Sequence, residues 1–240
     1  MFTGAPVIYG INPFEDSTEQ KHPLGSVGVT NDGRTYRYSQ AAGTALEQGL
    51  LCIAADITTN HEDLAVNTAA IGDKTITVTL GATAITGNEY DEGFVNVTDE
   101  LGQGTMYRIK SCPATALSSD VIITLEDPIR VAFAAATTVT LVRNKYRDIL
   151  VSDGTITDLP VGVPNAQIAG DAYGWVQTGG YCSILVDNSD TTPGVEITVG
   201  DTTTGGVETR ATTEICVGIQ PAGVGADAGE YGVFELTLDS

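Results

Sequence analysis

The sequence predicts an all-β fold, and three observations support that prediction. Hydrophobic residues make up 42% of the chain but aromatic residues only 6%, so the core must consist mainly of Val, Ile, Leu and Ala. Thr and Gly are abundant and Lys is scarce, which favours strands and turns over helices. Short alternating runs recur between turn residues, and no helical pattern exceeds two turns. These features indicate a β-sandwich or barrel-like domain.

Candidate strands follow one another through the first 147 residues. The runs 25–30 and 34–39 flank Asn31-Asp-Gly33, a strong hairpin signal because these residues tolerate positive φ. Gly49 opens a turn that leads into a strand at 50–54. A further strand is predicted at 74–80. A second hairpin is predicted from the runs 93–98 and 106–110, with its turn at 99–104. Two later strands are predicted at 121–125 and 138–142.

The C-terminal part again alternates turns with strands. The runs 173–178 and 181–186 flank Gly179-Gly180, which predicts a hairpin with its turn at the two glycines. Three more strands, at 195–199, 214–219 and 233–238, follow at the spacing typical of a sandwich or barrel.

The chain is expected to contain an inserted domain. Residues 25–55 are too short to close a sheet alone, and the C-terminal block supplies complementary strands. We therefore predict a discontinuous β domain of 25–60 plus 148–240, with 61–147 inserted as a second β domain. Residues 1–24 carry three prolines and spaced apolar side chains, which predicts an extended N-terminal arm. This arm lies either across a neighbouring subunit or on its own domain.

The negative charge of the chain is concentrated towards its C-terminus. The formal net charge is −20, with 17 acids and 10 bases in residues 1–147 but 14 acids and a single base, Arg210, in residues 148–240. Such a surface repels phosphate and argues against nucleic-acid binding. It suits a soluble protein displayed in many copies, and an acidic proteome of marine or halophilic origin would give the same balance.

The cysteines and the hydropathy pattern indicate synthesis in the cytosol. Cys52, Cys112, Cys182 and Cys216 are widely dispersed, so we expect free, buried thiols rather than a disulfide framework. A charged-then-apolar leader and an apolar run of 18 residues are both lacking, so neither export nor a membrane partner is expected.

No motif of the sequence points to catalysis. His22 and His61 lie among polar residues and are expected to be surface side chains without a catalytic role. Neither zinc spacing nor a phosphate-binding glycine loop occurs. Calcium is the better metal candidate, at 187–190 or at Asn31 and Asp32, but solvated turns explain these clusters more simply. We expect no enzyme activity, cofactor or metal.

Several blocks of strand-and-turn residues stand out in the sequence: LGSVGVTNDGRTYRY at 24–38, LEQGLL at 46–51, GDAYGWVQTGGYC at 170–182, ICVGIQPAG at 215–223 and FELTL at 234–238. These blocks resemble capsid decoration proteins, also called cement or head auxiliary proteins, of tailed bacteriophages. NEYDEGFV at 88–95 and GTMYRI at 104–109 are similar to segments of virion proteins from aquatic phages. The blocks are strand-and-turn patterns that cover about half of the chain.

The resemblance implies a structural virion protein that binds the outer surface of the major capsid protein lattice and stabilises the head. It also implies a homo-oligomer, with a trimer favoured over a dimer, made in the host cytoplasm. The residues expected to contact the capsid or another subunit are six apolar residues of the arm and one aromatic residue of the predicted hairpin: Phe2, Val7, Ile8, Tyr9, Ile11, Phe14 and Trp175. Trp175 is expected to be an anchor of either the core or a subunit interface.

Two other functions are weighed beside this one. A fibre or adhesin-like carbohydrate-binding β module would place Trp175 or the insertion in an aromatic binding site. A hydrolase would need a pair of carboxylates in a cleft, which spacing alone cannot reveal among 31 acids.

Overall fold

The computed structural model describes residues 7–155, 158–188, 193–221 and 226–239 of the chain. Seventeen strands and no α-helix are found there, so the predicted all-β class is confirmed. No helix in these ranges is long and apolar enough to cross a membrane. The strands are β1 Ile8–Tyr9, β2 Val27–Val29, β3 Thr35–Gln40, β4 Cys52–Ile53, β5 Leu64–Ala65, β6 Thr75–Thr79, β7 Phe94–Asp99, β8 Met106–Ser111, β9 Asp120–Leu125, β10 Thr138–Val142, β11 Leu150–Val151, β12 Pro160–Pro164, β13 Tyr173–Leu185, β14 Glu196–Val199, β15 Val207–Thr209, β16 Gly218–Ile219 and β17 Tyr231–Thr237.

The chain forms two compact units. Unit 1 consists of residues 1–55 and 145–240, and unit 2 consists of residues 56–144. The sequence-based borders stood at 60/61 and 147/148, whereas the units meet at 55/56 and 144/145.

Unit 1 is built on one eleven-stranded sheet. Its main path runs β1-β2-β3-β13-β17-β16-β14-β15, and β4, β11 and β12 pair beside it. Only β1 and β2 pair in parallel within this path, and the longer neighbours are antiparallel. Two clusters of buried apolar side chains form the core: one contains Tyr36, Tyr38 and Trp175, and the other contains Ile184 and Phe234.

The predicted hairpin at Gly179-Gly180 is wrong, because the chain passes straight through both glycines. Tyr173–Leu185 is one strand of 13 residues that pairs with β3 up to Gly179 and with β17 from Gly179 onwards. The register shifts between Gln177 and Gly179, and Gly180 has φ +80°. The glycines therefore form a bulge in which the strand changes partner, rather than a chain reversal.

The buried amide of Gln177 stabilises this bulge. Its Nε2 lies 3.1 Å from the carbonyl oxygen of Gly179, 3.3 Å from that of Gly180 and 2.9 Å from that of Tyr181. The amide thus links three successive carbonyl groups of the bulge and fixes the backbone conformation there.

The strand predicted at 214–219 is also shorter than expected. Only Gly218–Ile219 pairs as a strand, because residues 211–214 form a turn. The carboxylate of Glu214 accepts a hydrogen bond from the N–H of Ala211 at 2.6 Å, and its carbonyl accepts one from Nε of Arg210 at 2.7 Å. These local bonds compete with sheet pairing.

Unit 2 contains a six-stranded sheet in the order β5-β10-β7-β8-β9-β6. An isolated bridge between Val66 and Val78 joins the two edges, so the sheet nearly closes on itself. Buried and exposed side chains alternate along the strands, so that one face of the sheet is buried. In β9, Val121, Ile123 and Leu125 are buried while Ile122 is exposed. The predicted hairpin around 99–104 is confirmed by the antiparallel pairing of β7 with β8.

Candidate contact surface

One exposed surface of the unit 1 sheet lies on β13, β17 and β16 and carries several apolar side chains. Residues alternate along β17, so that Phe234 is buried while Tyr231 and Val233 are exposed. Val233 pairs with Ser183, Tyr231 with Leu185, and Tyr181 with Glu235; residues paired in this way share a face. We call the surface formed by Tyr181, Ser183, Leu185, Ile219, Tyr231, Val233 and Glu235 the contact face. Leu185 is only partly exposed, and the exposed Glu235 lies between Tyr181 and Ile219.

Two tyrosines dominate the contact face. Tyr181 is 60% exposed and Tyr231 is 54% exposed. Gly49 has φ +74°, and a Cβ at this position would lie 2.6 Å from Cε1 of Tyr231. The absence of a side chain at Gly49 therefore lets the Tyr231 ring lie flat against the backbone.

A groove of about 410 Å³ borders the contact face. Phe14, Tyr181 and Tyr231 supply its aromatic surface, and Gln48 and Asn165 supply polar groups that can donate or accept hydrogen bonds. Such a mixture suits adhesion to a protein or a sugar, because aromatic rings give contact area and amides give orientation.

The N-terminal segment packs on its own unit. Ile8 and Ile11 pack against the cluster that contains Trp175, Ser17 bridges to Tyr173, and Leu24 is buried. Of the two arrangements weighed for the arm, packing on its own domain is therefore what residues 8–24 adopt.

The predicted contact residues divide into exposed and buried ones. Val7, Tyr9 and Phe14 are exposed, and Ile8 and Ile11 are partly buried. Trp175 is only 6% exposed, and its ring lies beside His22 and Tyr38 at centroid distances of 5.5 and 5.1 Å. Trp175 is thus a core residue of this chain. Phe2 lies outside the described residues.

Gly28 explains how the first strands accommodate Trp175. A Cβ at this glycine would lie 2.7 Å from Cδ1 of Ile11 and 2.8 Å from Cζ3 of Trp175. The bare backbone of β2 therefore lets both side chains pack directly over it.

His61 is not a surface residue, contrary to the prediction. It is fully buried in unit 2, with Nδ1 2.6 Å from the hydroxyl of Tyr90 and Nε2 3.1 Å from the carbonyl oxygen of Thr83. Both ring nitrogens are committed to these partners, so His61 acts as a structural hydrogen-bonding group. Its polar sequence neighbours gave no signal of this burial.

Unit 2 also contains a salt bridge in which the carboxylate is buried. Arg143 pairs with Glu89, which also accepts hydrogen bonds from Thr86 N at 2.9 Å and from Thr58 Oγ1 at 3.1 Å. Burial would raise the pKa of Glu89, but hydrogen bonds from Thr86 and Arg143 and the Arg143 charge hold it below its usual range. We interpret this group as a structural network.

One group of carboxylates could hold a metal ion. Asp187, Asp201 and Glu208 each place a carboxylate oxygen within 4.8 Å of the others. Burial, together with the charges of Asp201, Asp187 and Glu214, raises the pKa of Glu208 to about 6. The sequence had pointed to 187–190, of which Asp190 lies outside the described residues; Asp201 and Glu208 were missed because they are distant in the chain.

The other calcium candidate, Asn31 with Asp32, is an internally satisfied turn. Asp32 accepts hydrogen bonds from the Thr30 hydroxyl at 2.5 Å and from Nε of Arg34 at 2.7 Å. These partners lower the pKa of Asp32, and the guanidinium of Arg34 already balances the charge of this carboxylate.

Comparison with known proteins gives no relative: no family model, no curated protein and no solved structure matches this chain.

Proposed function

We propose that the chain is a structural protein of a phage virion that binds the outer surface of the major capsid protein lattice and stabilises the head. The observation that carries this proposal is the contact face of unit 1, where the exposed Tyr181 and Tyr231 lie with the exposed Ile219 and Val233 around the carboxylate of Glu235. Contiguous exposed apolar surface marks interaction sites, and tyrosine is enriched at the centre of protein interfaces.

The fold and the charge fit this role. Stable interfaces bury on the order of 1,200–2,000 Å², and many copies on one shell act together, so that each contact can be modest. The net charge of −20 keeps a densely displayed protein soluble. The sequence blocks that resemble decoration proteins include Tyr181 of the contact face. A homotrimer, or a dimer as the alternative, would add contacts between copies.

Removal of the contact face tests the proposal. We expect the variant carrying Tyr181→Ser, Tyr231→Ser and Val233→Thr to lose at least about tenfold in affinity for heads of the source phage that lack the chain, as measured by co-sedimentation. The matched control replaces two exposed apolar residues of unit 2, Met106→Gln and Ile122→Thr, and should bind as the original protein does.

Circular dichroism verifies that both variants are folded. Equal binding by the folded contact-face variant would refute the role of this surface. Immunogold labelling of intact virions tests the location: gold on the outer head surface is expected, and label that appears only after the heads are opened would refute the proposal.

A carbohydrate-binding module is the second candidate, and the groove is the observation that favours it. Phe14, Tyr181 and Tyr231 line it beside the amides of Gln48 and Asn165. Saturable binding on a glycan array that Phe14→Ala abolishes, with no binding to heads, would establish this function instead. Trp175 is buried and is not expected to take part.

A further inference from the structure

We propose that Asp187, Asp201 and Glu208 bind one divalent cation, with Ca²⁺ as the preferred ion. The three carboxylate groups meet at one end of unit 1. Asp187 follows β13, Asp201 lies in the turn between β14 and β15, and Glu208 lies in β15. This inference is independent of the contact face.

The buried side chain of Asp187 provides the second observation. Asp187 is only 6% exposed, and its Oδ2 accepts a hydrogen bond from the N–H of Thr202 at 2.9 Å. Its Oδ1 is buried without a hydrogen-bond partner in the part of the chain that the structure describes. A buried, unpaired carboxylate oxygen is costly, and a bound cation would satisfy it.

The backbone is shaped around this carboxylate. A Cβ at Gly200 would lie 2.6 Å from Oδ2 of Asp187, and a Cβ at Gly206 would lie 3.1 Å from its Cβ. The β14–β15 turn can therefore close over Asp187 only because both positions are glycine. The N–H of Asp187 also donates to the carbonyl of Val207 at 2.9 Å, which fixes the acid beside β15.

No basic side chain compensates the three acids. Among the described residues, no lysine or arginine forms an ion pair with Asp187, Asp201 or Glu208. Arg210, the single base of residues 148–240, pairs with Glu196 at 2.5 Å instead. The side-chain donors are neutral: Nδ2 of Asn188 donates to Oε2 of Glu208 at 2.8 Å, and the Thr202 hydroxyl donates to Oδ1 of Asp201 at 2.9 Å. The charge repulsion of the carboxylates thus remains for a cation to offset.

The ligand chemistry favours calcium. Ca²⁺ takes oxygen ligands at about 2.3–2.6 Å in flexible geometry, so the oxygens around it can lie up to about 5 Å apart. The three carboxylate oxygens lie within 4.8 Å of one another, which is inside this span. Mg²⁺ has shorter bonds and a stricter octahedral geometry, so we expect it to bind more weakly.

Calorimetric titration with CaCl₂ tests the site in the full chain. After removal of metal with a chelator, and in about 150 mM KCl to screen the diffuse negative charge, we expect saturable binding of one Ca²⁺ per chain. A dissociation constant on the order of 10⁻⁴ M is typical of sites with few charged ligands. Ca²⁺ should also raise the thermal unfolding midpoint.

Two variants distinguish Ca²⁺ binding at this site from nonspecific attraction of Ca²⁺ to the acidic surface. Asp201 is exposed, so Asp201→Asn should fold normally and weaken Ca²⁺ binding at least about tenfold. Asp227→Asn removes an exposed acid outside the group and should leave the dissociation constant unchanged. Absence of saturable binding, or an equal affinity in Asp201→Asn, would overturn the proposal.

Discussion

The guanidinium of Arg37 and the carboxylate of Asp239 form a two-point ion pair across 202 positions of sequence. Nε of Arg37 donates to Oδ2 at 2.7 Å and Nη2 donates to Oδ1 at 3.0 Å. Burial would raise the pKa of Asp239, but hydrogen bonds from Arg37 and Thr178 and the Arg37 charge hold it below its ordinary value. This pair attaches the C-terminal end of the chain to β3.

Replacement of Asp239 by Asn should lower the free energy of unfolding by about 1 kcal/mol at pH 7. A carboxylate whose pKa is lowered in the folded state stabilises the fold above its unfolded pKa, which is about 3.9. That stability is lost as the pH falls through the lower, folded value.

Urea unfolding at pH 7 and at pH 3 measures the difference in the free energy of unfolding between the original protein and Asp239→Asn. This difference should be smaller at pH 3 than at pH 7. Asp227→Asn, at an exposed position, is the control and should cost nothing measurable. A deficit in Asp239→Asn that is the same at both pH values would contradict the ion-pair explanation.

The hydroxyl of Tyr90 is expected to stabilise unit 2 through His61. Tyr90→Phe leaves the buried Nδ1 of His61 without the partner that now lies 2.6 Å away. An unsatisfied buried polar group costs about 1–3 kcal/mol, so the thermal unfolding midpoint measured by calorimetry should fall. Tyr9→Phe, which changes an exposed ring, should leave it unchanged; equal midpoints for both variants would contradict this role.

The sequence predicted the strands of unit 2 well because alternation there reports one buried face directly. Thr75–Thr79 and Asp120–Leu125 each bury every second residue, as the period of a half-buried strand requires. Turn chemistry also placed the hairpin between β7 and β8 correctly. Local patterns therefore sufficed for these strands, although β6 and β9 pair with each other from distant parts of the chain.

Most features that sequence analysis missed depend on distant partners; the strand predicted at 214–219 is the exception, because a local turn at 211–214 replaces sheet pairing there. Gly179-Gly180 has the composition of a turn, but pairing with β3 and β17, far away in the chain, keeps the strand extended. His61 is surrounded by polar residues in sequence, yet Tyr90 and Thr83 bury it. Asp187 meets Asp201 and Glu208 only after the β14–β15 hairpin folds back. No local period encodes these encounters.

The two glycines of the β13 bulge are expected to differ in how much their replacement by alanine destabilises the protein. Gly180 has φ +80°, a conformation that costs a non-glycine residue about 1–2 kcal/mol. Gly180→Ala should therefore lower the free energy of unfolding by about 1 kcal/mol, because reduced entropy of the unfolded chain offsets part of the strain. Urea denaturation monitored by Trp175 fluorescence would report this loss in unit 1.

Gly179→Ala is the matched comparison. A Cβ at Gly179 would lie 3.4 Å from Cβ of Thr35, an ordinary contact, and the backbone there is not left-handed. We expect this variant to stay within about 0.5 kcal/mol of the original protein. If both alanine variants lose the same stability, the positive φ of Gly180 is not the cause.

The four cysteines should differ in their reactivity towards a thiol reagent in the folded protein. All four are free, and burial raises the pKa of Cys112 and of Cys182 to about 12 and that of Cys52 still further. The thiolate is the reactive form, so these three should react only when the structure opens. Cys216 is partly exposed and should react first.

Labelling with Ellman's reagent at pH 8 measures this order. We expect one fast equivalent per chain in native protein and four in denaturant, with Cys216→Ser abolishing the fast equivalent. Cys52→Ser, the buried comparison, should keep it. Fast labelling of any thiol in native Cys216→Ser would contradict this order, because it would show that a buried cysteine is accessible in the folded protein.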